Sequence, residues 1–162
     1  MTDQAGARGA TNSPWNRAME EDLVPASLGG HVGAYSAVVA LNIGDQVFLS
    51  AANAVTKSTT SADYDAAIGV VVGGQALDMY EVSPYQVGIP AAAINELVYV
   101  AWAGKVRVPA EGAITAASVV GSSEVTAGAV KTPPTAVTPG RTTLALTAAV
   151  GGEVDILLPY IT

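Results

Sequence analysis

The stretch LNIGDQVFLSAANAVTK, residues 41–57, decides the fold class. A Gly44-Asp45 turn leads into the alternating run Gln46-Val47-Phe48-Leu49. An Ala/Asn corner breaks that run, and a second short run ends at Lys57. Alternation with a period of two is the mark of a half-buried strand, and Gly, Asp and Asn supply the turns. The unit predicts two short strands joined by a corner.

Working outward, the same punctuation continues to the C-terminus. Strands are predicted over Ser36–Leu41, Gln46–Ser50, Ala54–Lys57, Ile68–Val72, Met79–Val87, Leu97–Trp102, Lys105–Val108, Ser118–Gly121, Ala129–Lys131, Thr143–Thr147 and Glu153–Leu158. Gly, Pro, Asn or acidic residues separate them. The one helix-like stretch in this region is Pro90–Glu96, barely two turns long. Many short strands at close spacing imply an all-β fold, a compact β-barrel or β-sandwich spanning 36–162. The opening unit also recurs: GDQVFLSAANAVTK (44–57) aligns with ASVVGSSEVTAGAVK (117–131), pairing Val47 with Val120, Ser50 with Ser123, and Val55-Thr56-Lys57 with Val130-Lys131. Each copy is followed by a loop and a further apolar strand, which suggests an internal repeat.

Residues 1–35 read differently. MTDQAGARGATNSP is small, polar and aperiodic, as an extended arm would be. SPWNRAMEEDLV offers Ser13 as N-cap and Pro14 at the first helical position, so a short helix is expected at 14–23. Glu20, Glu21 and Asp22 crowd its C-terminal end, where the helix dipole disfavours anions. Trp15, Met19, Leu23 and Val24 would form a narrow apolar stripe with Arg17 beside it, suited to a groove and too small for a core. These five residues are the candidate partner contacts, the groove lying on another protein, a sister subunit or the chain's own barrel. His31, in the Gly-rich LGGHVGAY, is expected in a solvated loop.

Composition excludes several function classes. Of the 162 residues half are apolar, Ala and Val supplying most of them, while 6% are aromatic and 13% charged. The chain contains no cysteine, which removes disulfides, thiolate metal sites and a Cys nucleophile. A net charge of −7 argues against wrapping nucleic acid, which needs clustered Lys and Arg. Lys105 and Arg107 are the one close basic pair; alternating with Val106 and Val108, they read as a solvated strand face rather than a phosphate site. Apolar runs such as Leu97–Ala103 fall far short of the ~18 residues that a membrane helix needs, and no secretory leader is visible at the start. With one histidine no ordinary transition-metal site is expected. Asp63 and Asp65 lack the spaced partners of a calcium loop, and neither VVVGGQ (70–75) nor AVGGEVDI (149–156) carries a phosphate-loop pattern. No cofactor and no catalytic constellation are expected.

From Asn42 onward the chain resembles the small tailed-phage capsid cement, or head decoration, proteins. The stretches that carry the resemblance are NIGDQVFLSAANAVTK, AAIGVVVGG, AGKVRVPAEGAITAASVV, TAGAVK and TLALTAAVGGEVDILL, in that order, over about three quarters of the chain. Each motif encodes turns and strands rather than chemistry, and their order carries the weight. The second copy departs from the pattern, with Ala117-Ser118 where the family often shows Gly-Asp, and the arm has no counterpart. The resemblance implies a non-enzymatic protein on the outer face of an icosahedral head, commonly a trimer at junctions between capsomers. Its partners would be the major capsid protein and itself, and its place the virion exterior after synthesis in the host cytoplasm. Two other classes stand beside it: a phage tail or surface β-module that binds glycan or protein, and a trimeric nucleotide hydrolase of the dUTPase kind. DMYEVSPY does not assemble the sugar-reading pair that the last would need.

Overall fold

A computed structural model of the chain describes residues 32–59, 67–76, 86–132 and 143–158. These residues are all β, with no helix among them. The strands are β1 (Val32–Ala37), β2 (Leu41–Asn42), β3 (Gln46–Ala51), β4 (Ala54–Lys57), β5 (Ala67–Gly74), β6 (Pro90–Ala92), β7 (Leu97–Ala101), β8 (Gly104–Pro109), β9 (Val119–Ser122), β10 (Val130–Lys131), β11 (Thr143–Ala145) and β12 (Glu153–Leu158). A closed barrel runs in the order β1-β4-β3-β5-β7 and back to β1. A second five-stranded sheet, β10-β9-β11-β12-β8, curls beside it.

The two sheets are the same design used twice. Each consists of five strands in chain order, and the pairing registers correspond residue for residue. Gln46 opposite Val70 in the first half becomes Val119 opposite Leu144 in the second. Val70 opposite Ala101 becomes Leu144 opposite Leu157, and Val32 opposite Ala101 becomes Lys105 opposite Leu157. Leu49 opposite Val55 becomes Ser122 opposite Val130. Even the one parallel contact recurs, Ala37 with Val55 and Ala110 with Val130. The entry turns match as well. The Gly44 N–H donates to the Val71 carbonyl and the Val71 N–H to Asp45, as Ala117 does to Ala145 and Ala145 to Ser118.

The repeat read from the sequence is therefore present, with Val47 and Val120 equivalent and both fully buried. Its last residues slip by one: with Val55 on Val130, Lys57 falls on Thr132 rather than on Lys131.

The halves differ in closure. In the first, the Ser36 N–H donates to the Asn53 carbonyl at 2.8 Å and the Val38 N–H to Val55 at 2.9 Å, which ties β1 to β4. The second half keeps the equivalent of the latter bond, Glu111 N–H to Val130 at 2.8 Å. At the position of Ser36 it has Pro109, which has no N–H to give. The Gly128 carbonyl, equivalent to that of Asn53, instead accepts the Gln46 N–H of the first half at 2.8 Å. The second sheet thus stays a half-barrel whose open side rests on the first.

Strand β5 explains how both cores are filled. Its apolar run is continuous because residues 69–74 are buried on both faces. Val71 packs inside the first barrel with Val47, Val55, Val98 and Val100. Val70 and Val72 point outward and join Ala101, Val106, Val120, Val154 and Ile156 in the second core. Each fully buried valine contributes about 1.5–3 kcal/mol, so the second half draws part of its stability from side chains of the first.

Three predicted elements differ from the structure. Pro90–Glu96 is not a helix: β6 pairs with β2 to cover the first barrel, Ala91 and Ala92 are buried, and Asn95 turns the chain at φ 69°. Ser36–Leu41 is not one strand but the end of β1, a bend and the start of β2. Barrel strand β1 begins at Val32, inside the Gly-rich segment read as loop and ahead of the boundary at residue 36. Met79–Val87 lies outside the described residues except for its last two positions, which form no strand.

Candidate interaction surfaces

Three of the buried polar residues among those described lie along the seam between the halves. Gln46, Ser58 and Ser122 are almost fully buried there. The Ser122 hydroxyl donates to Gln46 Oε1 at 3.1 Å, Ser58 Oγ donates to the Gln46 carbonyl at 3.2 Å, and the Gly128 N–H donates to the Ser58 carbonyl at 2.8 Å. No buried side-chain nitrogen or oxygen among the described residues lacks a partner, as a seam that costs no unmade hydrogen bonds requires. Beside it Asp45 accepts from the Asn42 N–H at 2.8 Å and pairs with Lys57 at 3.0 Å. Burial nonetheless wins and raises its pKa above the ordinary value, the Asn42 and Lys57 contacts opposing it.

On the outer face of the second half, Lys105 and Arg107 of β8 both converge on Asp155 of β12. Arg107 Nε donates to Asp155 Oδ1 at 2.6 Å, and Lys105 Nζ lies 3.2 Å from Oδ2. The Arg107 hydrogen bond, with help from Lys105, holds the Asp155 carboxyl below its ordinary value despite its burial. The basic pair is an ion-paired face in which two cations share one buried carboxylate. An open cleft of about 330 Å³, bordered by Arg107, Thr147, Val150, Glu153 and Asp155, adjoins it. Glu153 at its rim adds negative charge, so the cleft does not suit an anionic ligand. No cluster of three or more His, Asp or Glu among the described residues could hold a metal ion. No helix there is long and apolar enough to cross a membrane.

The same outer face carries the feature that sequence reasoning missed. Leu144 and Leu146 of the β11 segment stand beside Leu157 of β12, and their exposures are 36%, 41% and 40%. Their equivalents in the first half are Val70, Val72 and Ala101, all buried under the second half. Thr143-Leu144-Ala145-Leu146-Thr147 does show alternation, but its larger apolar residues point outward while Ala145 fills the core. Size gives no warning of that inversion.

The contact residues expected from sequence, Trp15, Arg17, Met19, Leu23 and Val24, lie outside the described residues, as do His31, Asp63 and Asp65. Trp102 is half-buried, its ring over Gly33, where a β-carbon would lie 2.5 Å from it. No protein-family model matches the chain, and no curated protein matches it at a significant level.

Proposed function

We propose that this chain is a structural virion protein, a cement that binds the outer surface of an icosahedral phage head and stabilises the junctions between capsomers. The observation that carries the reading is the ordered series of strand motifs from Asn42 to Leu158, which resembles the cement proteins over most of its length. The character of the surface supports it. The Asp45 and Asp155 carboxylates are ion-paired within the chain, and the outer sheet face of the second half exposes Leu144, Leu146 and Leu157. Such a surface suits protein contact better than small-molecule chemistry.

In this reading the partners are the major capsid protein and further copies of the chain, on the capsid exterior. Binding across a junction stabilises the assembled lattice by mass action, and many equivalent sites multiply a modest contact. Purified protein should co-sediment with heads that lack it, and decorated heads should release DNA at a higher temperature than bare ones. Absence of co-sedimentation with identical release curves would remove the reading, and a sugar-dependent rise in Tm would favour the glycan-binding alternative.

A further inference from the structure

We propose that the outer face of the second half docks a segment of the same chain, residues 13–24 of the N-terminal arm, with the stripe of Trp15, Met19 and Leu23 laid along Leu144, Leu146 and Leu157. Such docking within one chain is independent of the cement reading.

Two kinds of surface lie side by side on this face. Leu144, Leu157 and Lys105 form one row across β11, β12 and β8, and Leu146, Asp155 and Arg107 form the next. Leucines thus run along one side of the face and cations along the other. Glu153 and the open cleft of about 330 Å³ lie past the second row. In the first half the equivalent face, Val70, Val72 and Ala101, is covered by the open core of the second. The leucines have no second open core to cover them, because the first barrel is closed over its own. A single narrow element with one apolar stripe and an acidic flank fits them instead.

Residues 13–24 have that pattern, and Glu20-Glu21-Asp22 is the one run of three acids in the sequence. As a helix, Trp15 to Leu23 spans about 12 Å, and Glu153 to Leu157 of β12 spans about 13 Å. In a helix running from the cleft toward Leu157, at about 100° per residue, Glu20 falls on the flank turned to β8. There Lys105 and Arg107 share the one Asp155 carboxylate, so an acidic flank meets an excess of positive charge. Trp15 then reaches the cleft, where Arg107 can stack on its ring.

The path of the chain sets that direction. Strand β1 begins at Val32, opposite Ala101; three residues beyond Ala101, Gly104 starts β8 opposite Leu158. The arm therefore joins the described fold near the Lys105–Leu157 end of the face. The eight steps from Val24 to Val32 reach up to about 26 Å. That is enough to turn over the end of one sheet, since packed sheets lie about 10 Å apart.

The chain has no cysteine, so Ser13→Cys carries a nitroxide at one place in the full-length protein. In amide NMR spectra the label should broaden Val150 and Glu153 most and Leu144 and Leu157 less, and leave β4 sharp. Leu144→Lys with Leu157→Lys should abolish the broadening. Glu20→Lys, which alters no residue of the described fold, should reduce it about twofold, the worth of an exposed ion pair. Should the lysine pair unfold, the Glu20→Lys spectrum decides. Broadening absent from this face, or unchanged by Glu20→Lys, overturns the proposal. So does equal broadening in a 1:1 mixture of nitroxide-bearing chain and separate nitrogen-15-labelled chain without nitroxide, which would assign the segment to a neighbouring copy. No capsid enters the experiment, so its failure leaves the cement reading to its own test.

Discussion

At the place where the first barrel has Ser36, the second half has Pro109, and much of the difference between the two follows from that exchange. Ser36 gives its N–H to the Asn53 carbonyl, and the first barrel closes on itself. Pro109 has no donor, and the equivalent carbonyl of Gly128 is taken by Gln46 from the other half. A repeat that could have yielded two separate barrels yields two halves that share a core and a backbone hydrogen bond. Equivalence of strand order does not imply equivalence of domain status. The backbone donor count at one edge decides whether a sheet satisfies itself or borrows from its neighbour.

The entry turns of the two halves should differ most in their response to substitution. Gly44 and Ala117 hold the same turn position at φ 92° and 66°. A β-carbon at Gly44 would lie 3.2 Å from the Arg107 carbonyl oxygen. Left-handed backbone costs an L-residue about 1–2 kcal/mol, so Gly44→Ala should destabilise the chain by about 2 kcal/mol with this crowding added. Ala117→Gly should do the opposite and stabilise by about 0.5–1 kcal/mol. Urea unfolding of both variants checks the pair; a neutral Gly44→Ala would break the equivalence of the two turns.

That turn shows what was legible in the sequence. Gly44-Asp45 was readable as a turn, whereas Ala117-Ser118 stood out as a departure, because a non-glycine at positive φ carries no local signature. Ala54–Lys57 and Glu153–Leu158 are strands with the bounds that alternation gives. Pro90–Glu96 misleads because its alanines favour a helix locally, while pairing of β6 with β2 overrides that preference. Strand β1 escaped because Gly33 reads as a loop, yet it is glycine in a strand that leaves room for the Trp102 ring. The outer leucine face was invisible for a different reason. Which side of β11 faces a core is set by the register of the whole sheet, and small residues inside with leucines outside reverse the usual pattern.

A smaller effect separates the two buried aspartates. The Asp155 carboxyl lies below the ordinary value near 3.8, so its contribution is present above that pH and is lost as pH falls through the folded value. Asp45 is raised, so its ionisation costs stability as pH rises from 3.8 through the folded value. Asp155→Asn should therefore destabilise by about 0.5–1.5 kcal/mol at neutral pH, with the loss shrinking toward pH 3. Asp45→Asn should change in the opposite direction, becoming more favourable relative to the parent between acid and neutral pH. Unfolding free energies from pH 3 to 7 check the signs; parallel trends for both variants would contradict the assignment.

The second half completes its core with side chains of the first. Val70 is the residue to change, because it is fully buried, points away from the first barrel's interior and packs with the second core. Native-state hydrogen exchange on the full-length chain should compare Val70→Ala with the parent at the amides of Val154 and Ile156, on strands β12 shares with β8. Both should lose about 1–2 kcal/mol of protection, the cost of a deleted pair of buried methyl groups. Unchanged protection at Val154 and Ile156, with loss confined to the first barrel, would show that the second half stands by itself and would contradict it.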